Sequence, residues 1–327
     1  MSITCLKAGT LTTIQDIGRI GYQNIGVIVS GAMDSFALKI ANRLLGNHQH
    51  EACIEVTLRG TAFHFSEDTY IAITGGDLTP TIQGMDVPQW RPVLVRANQT
   101  LRFKGAKKGL RSYLAVQHGF SIEEKLGSKS TYLRANMGGL NGRALQEQDE
   151  IQLMNTNWDT PVLPIENEYF STVSWHVRPD FYKKVRKRHR IRFVEGNEYQ
   201  WFTTATQQNF ERVHFDVAMS SDRMGYRLKG FKLQKDVQQE MVSEAVTNGT
   251  IQVANDGQPI ILLADRQTTG GYPRIGQVIS ADLHRFGQMK PGDQIRFERV
   301  TLDEAYEALY DLEQQLNHIE VSIQLKK

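Results

Sequence analysis

The sequence is poor in cysteine, with Cys5 and Cys53 the only two among 327 residues. Two cysteines cannot build a disulfide framework, and their spacing does not suit a structural zinc site. We therefore expect two free thiols packed in the interior. His48 and His50 resemble part of a metal clip, but no third ligand is evident near them in the sequence, so no metal site is predicted.

Long apolar runs and a large net charge are also missing. The first residues, MSITCLKAGTLTTIQD, hold no segment suited to a signal peptide, and no run approaches the roughly 20 apolar residues that span a bilayer. This predicts a cytoplasmic chain without a membrane partner. The formal net charge is +2, and the basic run from Lys183 to Arg190 is short and lacks interleaved aromatic residues, so no nucleic-acid partner is predicted.

Several familiar catalytic motifs are absent as well. The chain has no G-x-x-x-x-G-K-[ST] loop, no G-x-G-x-x-G after a strand and no G-x-S-x-G. No nucleophile with an adjacent base is evident. The chemistry expected of this sequence therefore depends on positioned charges and hydrogen-bond donors.

What the sequence contains instead is a succession of short alternating or apolar runs punctuated by glycine. Runs such as TAFHF, TYIAIT, SYLAV and PIILLA are typical of β-strands. Between the first two of these, the polar residues Ser66, Glu67 and Asp68 predict the turn of a β-hairpin.

Only a few stretches favour helix. Asp34 or Ser35 predicts the start of a helix that Gly46 would end. The spacing from Thr301 to Glu304 matches a capping box at the start of a C-terminal amphipathic helix. A weaker candidate lies around residues 198–210.

Four short segments recur in the same order in the two halves of the chain. The pairs are RIGY at 19–22 and RMGY at 223–226, EVTLRGT at 55–61 and EAVTNGT at 244–250, the glycine pairs at 75–76 and 270–271, and QTLRF at 99–103 and DQIRF at 293–297. Ordered matches indicate duplication of one β-rich unit. Closure into barrels would remove the open edges of so many short strands.

We therefore predict a mainly β protein of two β-barrel domains related by internal duplication, with few helices. The first domain covers residues 1–185 and includes a glycine-rich insert at about 105–185. The second covers residues 186–327 and ends in the C-terminal helix.

The first candidate site follows the apolar run IILL. A strand end followed by polar residues and paired glycines places side chains at a rim and lets a ligand approach the backbone. The guanidinium of Arg266 suits a carboxylate, and Asp265 can orient that guanidinium or act as a base. The hydroxyl groups of the two threonines can hold an oxyanion. The alternative is a structural turn whose arginine pairs with its own aspartate. The residues are Asp265, Arg266, Gln267, Thr268, Thr269, Gly270, Gly271 and Tyr272.

The insert carries a second candidate, in which cations and hydroxyl groups lie beside another glycine pair. Such a loop suits an anion, and the alternative is a solvated connection with scattered charges. The residues are Lys129, Ser130, Thr131, Arg134, Gly138 and Gly139.

A third candidate is the repeated segment that contains Asp222, Arg223 and Tyr226. Its earlier copy contains Asp16 and Arg19, and the two copies would face each other if the halves pack around a pseudo-twofold axis. Internal ion pairs within each barrel are the alternative.

Several longer motifs carry a family resemblance. LTTIQDIGRIGYQNIGVIVSGAMD, ITGGDL, GSKSTYLRANMGG and SEAVTNGTIQVANDGQPIILLADRQTTGGYP together resemble the biotin-dependent carboxyltransferase family, over about Thr10 to Phe297. That family includes the C subunits of 5-oxoprolinases, the regulator KipA and part of urea amidolyase. The resemblance implies cyclophilin-like barrels that work with a KipI-like B subunit and an A subunit, and ATP-dependent opening of 5-oxoproline to glutamate.

The resemblance also frames the roles of the candidate residues. It implies ATP as a cofactor of the complex, and biotin only on a separate carrier, because this chain has no biotin-attachment motif. We expect Arg266, with Thr268 and Thr269, to hold the substrate together with the second loop, and Asp265 or Asp222 to accept a proton or orient an arginine. Two alternatives stay open: a regulator that binds a KipI-like kinase inhibitor without turnover, and a carboxyltransferase acting on a urea-like acceptor.

Overall fold

The computed structural model describes residues 2–154, 163–177, 187–237, 239 and 241–326. By backbone contacts the chain divides into two compact units. Unit 1 comprises Met1–Arg19, Ser30–Val185 and Leu316–Lys327, and unit 2 comprises Ile20–Val29 and Arg186–Gln315. The boundaries predicted from sequence differ from these units in assigning residues 20–29 to the first half and 316–327 to the second. The basic run from Lys183 to Arg190 falls partly outside the described residues.

Short strands make up most of the regular secondary structure of unit 1, as the alternating sequence runs predict. Its strands are β1 (Ser2–Ala8), β2 (Leu11–Gln15), β3 (Cys53–Thr57), β4 (Thr61–Phe65), β5 (Thr69–Asp77), β6 (Pro80–Ile82), β7 (Met85–Asp86), β8 (Pro92–Val95), β9 (Gln99–Phe103), β10 (Lys108–Val116), β11 (Glu150–Gln152), β12 (Ile165–Glu166) and β13 (Phe170–Thr172).

The strands of unit 1 pair in two sheets. One has the order β11-β1-β4-β9-β6-β7 and the other the order β12-β13-β8-β5-β10-β3-β2. The mainly β prediction is confirmed, but within the described residues this unit differs from the predicted closed barrel. Apolar side chains of both sheets form one core, in which Phe63, Phe65 and Phe120 are fully buried.

The predicted hairpin between β4 and β5 is wrong. The two strands belong to different sheets: β4 pairs with β1 and β9, and β5 pairs with β8 and β10. The connection at residues 66–68 instead carries the chain from one sheet to the other. The Asp68 carboxylate fixes it by accepting from the amide of Ala97 at 2.7 Å and from Arg96 Nη1 at 3.1 Å, in the neighbouring crossing from β8 to β9.

Both cysteines lie in unit 1, and the prediction of free, packed thiols is confirmed. Cys5 and Cys53 are fully buried. Burial raises the pKa of the Cys5 thiol to about 11, with nearby Asp149 and Glu147 adding to the effect. Both thiols are therefore poor nucleophiles at neutral pH.

Unit 2 contains a closed barrel. Its strands are β14 (Arg188–Glu195), β15 (Phe215–Val217), β16 (Gly225–Lys229), β17 (Glu244–Ala245), β18 (Thr250–Val253), β19 (Pro259–Leu262), β20 (Thr269–Gly270), β21 (Arg274–Val278) and β22 (Gln294–Arg299).

The barrel order is β14-β21-β18-β19-β16-β15-β22, and it closes through a parallel pairing of β14 with β22. Strands β17 and β20 form a separate two-stranded ladder. Four phenylalanines pack together in the core, where the rings of Phe210 and Phe297 stack with centroids 4.4 Å apart. These elements hold the loop between β19 and β21, which contains the first candidate site.

Three α-helices occur in the described residues: α1 (Ser35–Leu45), α2 (Thr204–Arg212) and α3 (Leu302–Gln324). The predicted ends of α1 are confirmed, since Asp34 accepts from the amide of Ala37 and Gly46 takes a left-handed conformation with φ 78°. The predicted capping box is also confirmed, because Thr301 and Glu304 exchange hydrogen bonds at the start of α3. None of the helices in the described ranges is both long and apolar enough to cross a bilayer.

Short 3-10 helices connect several strands. They are Gln23–Ile25, Leu133–Ala135, Tyr199–Trp201 and Ser280–Gln288. The weak helix candidate around residues 198–210 therefore corresponds to a 3-10 turn followed by α2.

Candidate functional site

The loop that starts at Asp265 begins with a buried ion pair. Both carboxylate oxygens of Asp265 accept hydrogen bonds from Arg223, at 2.9 Å from Nε and 3.0 Å from Nη2. The two residues are 7% and 5% exposed, and the Asp265 amide also donates to the Arg223 carbonyl. A paired and buried carboxylate of this kind positions the backbone on either side of it. The structure therefore brings together two predicted site residues that lie 42 positions apart.

Arg266 follows directly and has no such partner. Its side chain is 9% exposed, and its one hydrogen bond within the described residues runs from Nη1 to the Leu263 carbonyl at 3.3 Å. Its Nε is buried without an acceptor. Burial lowers the pKa of Arg266 to about 10, so the guanidinium still carries its charge at neutral pH. The alternative in which Arg266 pairs with its own neighbour Asp265 is not what the structure shows.

The polar side chains that follow Arg266 are also unengaged. Gln267, Thr269 and Tyr272 are exposed and Thr268 is half-buried. Their side chains make no hydrogen bond with any other residue that the structure describes. Hydroxyl and amide groups without a partner in the protein are free to bind a ligand. They lie next in sequence to Arg266, a cation without an acidic partner in the described residues.

The two glycines of this loop are in different situations. A Cβ at Gly270 would collide with the side-chain amide of Gln252, whereas a Cβ at Gly271 would meet no atom closer than Ser243 Oγ at 3.2 Å. Gln252 also donates to the Tyr272 carbonyl at 3.2 Å. Close packing against the Gln252 side chain therefore explains why residue 270 is glycine. The same side chain holds the loop in place through its hydrogen bond to Tyr272.

A second ion-pair cluster fixes the far end of the loop. Arg274 donates to both oxygens of Glu198, at 2.7 and 2.6 Å, and to Glu244 at 2.6 Å. These hydrogen bonds raise the pKa of Arg274 and lower that of Glu198. Residues 266–272 thus lie between two charged anchors, which leaves Arg266 as the cation of the loop without an acidic partner in the described chain.

The candidate loop of unit 1 is organised in the opposite way. The carboxylate of Asp16, 7% exposed, accepts from the amides of Gly18 and Lys129 at 2.7 and 2.6 Å and from the hydroxyl of Ser128 at 2.7 Å. It also bonds the hydroxyl of Ser130. One internal anion therefore occupies the donors that the sequence offered to a ligand.

The remaining cations and hydroxyls of this loop divide between the interior and the surface. Lys129 is 5% exposed, and its Nζ forms a salt bridge with Glu51 at 2.6 Å. The hydroxyl of Thr131 donates to the Ile14 carbonyl at 3.0 Å. Arg134 is exposed and has no hydrogen-bond partner in the described residues. Of the three, only Arg134 is open to a ligand in this arrangement.

The glycine pair of unit 1 has a packing reason. Gly138 and Gly139 have φ values of 69° and 53°, and a Cβ at either would collide with Ser130 or Thr131. Left-handed glycines let this segment lie directly on residues 130–131.

The repeated segment of unit 2 is engaged internally. Asp222 accepts from the amides of Met224 and Gly225 at 2.8 and 3.3 Å. The Tyr226 hydroxyl lies 2.9 Å from the carbonyl oxygens of Phe286 and Met289 and the residue is 2% exposed. For Arg223 the internal ion pair is observed. Roles of these residues toward a substrate, and the meeting of the two candidate loops, stay predictions.

Sequence reasoning missed the residues that support the loops. No local pattern indicates that Glu51 and Glu198 each anchor a candidate segment, and the repeated segment is the only feature of the sequence that points to Asp16. Glu244 was visible in the repeated EAVTNGT segment, but its partner Arg274 lies 30 residues further along. Partners separated by so many residues leave no local pattern in the sequence. The repeated segments are therefore the only sequence signal that points to these anchoring residues.

Comparison with known proteins agrees with this architecture. The family described as carboxyltransferase domain, subdomain A and B, matches residues 25–299. A Haemophilus influenzae protein, named as the C subunit of 5-oxoprolinase, is 39% identical over 303 residues, 93% of each chain. The Escherichia coli protein of the same name is 36% identical over 307 residues, 94% of each chain. These relatives are components of an enzyme.

Among solved structures, the urea amidolyase of Kluyveromyces lactis aligns with a TM-score of 0.88 and 28% identity. The alignment covers 97% of this chain but 20% of the larger protein. The fold described above is therefore shared with one part of a larger enzyme.

Proposed function

The chain belongs to the family of carboxyltransferase domains with subdomains A and B, and we propose that it is the C subunit of an ATP-dependent 5-oxoprolinase. The complex would open 5-oxoproline to glutamate, with a KipI-like B subunit and an A subunit as partners and ATP as cofactor. The observation that carries this proposal is the 36–39% identity to proteins of that name over nearly the whole of both chains.

The unpaired Arg266 supports an acidic substrate. A guanidinium that is buried without an anion lacks the interaction that normally compensates its desolvation. A substrate carboxylate would supply that interaction through charge-assisted hydrogen bonds. 5-Oxoproline carries one carboxylate and one lactam group, so Arg266 would hold the carboxylate.

The neighbouring donors suit the lactam. Opening a lactam develops negative charge on its oxygen, and donors positioned around that oxygen lower the barrier. The unengaged groups of Gln267, Thr268 and Thr269 would supply these donors, with Tyr272 at the rim. Asp265 would act through Arg223, whose orientation it fixes.

A second candidate function is carboxyl transfer to urea or a related neutral amide, with biotin arriving on a separate carrier. The close structural match to K. lactis urea amidolyase favours it. Urea has no carboxylate, but carboxybiotin and the carboxylated product do, so an anion would reach Arg266 in this reaction as well. The higher identity to the C subunits of 5-oxoprolinase favours the first function over the second.

The test is a reconstitution with purified partner subunits, 5-oxoproline and ATP, in which glutamate release is followed. Release that requires this chain, together with no carboxylation of urea in a parallel assay with a biotinylated carrier, is the expected result. Equal release when the chain is omitted would contradict a catalytic role and favour a regulator that only binds its partner.

A further inference from the structure

A surface cavity of about 520 Å³ lies in unit 1. Two segments line it, with Ser121, Ile122, Glu123 and Lys125 on one side and residues 135–142 on the other. No residue of the loop at 265–272 contributes to it. The cavity is large enough for a small molecule with its bound water.

The backbone of the second segment is turned by left-handed residues. Asn136, Gly138, Gly139, Asn141 and Gly142 all have positive φ, between 48° and 69°. Leu140, which lies among them, does not. Alternation between left- and right-handed residues produces backbone concavities, lined by successive N–H groups, that bind anions.

Three amides of this segment have no acceptor. The N–H of Gly139 donates to the Lys129 carbonyl at 2.8 Å and that of Gly142 to the Gly138 carbonyl at 2.9 Å. The N–H groups of Gly138, Leu140 and Asn141 donate to nothing in the described part of the chain. All three residues line the cavity, so a ligand bound there could accept hydrogen bonds from these N–H groups.

Positive charge lies next to these amides. Arg19 is fully buried, its guanidinium donates to the carbonyls of Lys125 and Ser130, and a Cβ at Gly138 would collide with its Nη2. Lys125 also lines the cavity, and its ammonium forms an ion pair with the exposed carboxylate of Glu123, another lining residue. Glu123 is thus the anionic side chain of the lining and would compete with an anionic ligand.

We infer that the cavity is a binding site for a small oxyanion, a carboxylate or a phosphate. The amides of Gly138, Leu140 and Asn141 hold the oxygens, and Arg19 and Lys125 supply the favourable potential. The inference does not depend on the proposed function, because it rests on unit 1 alone.

The experiment records two-dimensional amide NMR spectra of the deuterated full-length protein during titration with phosphate, acetate or sodium chloride at matched ionic strength. Saturable shifts of the Gly138, Leu140 and Asn141 amides with phosphate or acetate, but not with chloride, are expected. Shifts that grow linearly with salt, or equally with chloride, would overturn the inference.

Two substitutions should change the affinity for the anion in opposite directions. Asn141→Asp keeps a residue that tolerates positive φ but adds a negative charge, and it should weaken binding about fivefold, as a unit charge at ~4 Å in water-like surroundings does. Glu123→Gln removes the competing carboxylate and should tighten binding. Asn98→Asp is the matched control, because Asn98 is also exposed with positive φ and lies outside the cavity. Equal affinity in Asn141→Asp and wild type would refute the site.

Discussion

Two loops of similar chemical character, one in each unit, have opposite internal structures. Each combines positive charge, hydroxyl groups and a glycine pair, and the sequence predicts that both bind an anion. In unit 1 Asp16 and Glu51 satisfy the donors of residues 128–130 from within the protein. In unit 2 Asp265 and Glu198 form ion pairs with Arg223 and Arg274, and Arg266 has no acidic partner among the described residues. The comparison shows that composition indicates where anions bind, but not whether the anion is the protein's own.

The largest expected effect concerns the unpaired cation. Arg266→Gln keeps a donor for the Leu263 carbonyl but loses the charge, so kcat/KM for 5-oxoproline should fall by between about 100-fold and about 1000-fold. The free energy of unfolding should not fall, since no ion pair is broken and a desolvated charge without an anionic partner is removed.

Chemical denaturation and steady-state kinetics of the reconstituted complex measure the two quantities. Arg227→Gln serves as the control, because Arg227 is an exposed arginine of the same unit. A stability loss in Arg266→Gln that matches its loss of activity would assign the arginine to the unit 1 pattern instead.

The corresponding change in unit 1 should act on stability. Lys129→Met leaves the Glu51 carboxylate without its partner and should lower the free energy of unfolding by about 3 kcal/mol. Adding Glu51→Gln should recover most of that loss, because the double variant holds no uncompensated charge. Urea denaturation of the single and double variants tests this, and a single variant as stable as wild type would show that the ion pair contributes nothing.

The difference between the loops also limits what sequence can predict. The caps of α1 and α3, the free thiols and the mainly β architecture follow from local patterns of a few residues, and all were predictable. The partner of β4 was not, because alternation reports which face of a strand is buried and not which strand lies beside it.

The same limit applies to the candidate site. Arg266 and its hydroxyl-rich loop can be identified from the sequence because the end of a strand, a cation and a glycine pair follow one another closely along the chain. The assignment of Asp265 to Arg223, and of Glu51 to Lys129, depends on residues 42 and 78 positions apart. Which cation remains free is therefore a property of the tertiary structure.

A smaller effect follows from the pKa of Arg266, which burial lowers to about 10. The guanidinium is charged below this pH and loses its proton above it, so carboxylate binding should weaken as pH rises through about 10. At a pH of about 10.5 the affinity for 5-oxoproline should be about fourfold lower than at a pH of about 8.5. The pH dependence of KM in the reconstituted complex reports this, and the profile of Arg266→Gln should be flat by comparison; a wild-type profile equally flat would show that the Arg266 charge does not change over this pH range or does not act on the carboxylate.

The smallest expected effect distinguishes Asp222 from a proton acceptor. Its carboxylate accepts from two backbone amides of its own turn, and an asparagine oxygen can accept the same hydrogen bonds. Asp222→Asn should therefore change the free energy of unfolding by less than about 1 kcal/mol and kcat by less than about twofold. A general base replaced by an amide would lower kcat far more, typically by about 100-fold or greater. Steady-state kinetics of this one variant thus decides between two roles for Asp222. It is either an internally hydrogen-bonded structural group, like Asp16 in unit 1, or a catalytic group that acts with the open loop at Arg266.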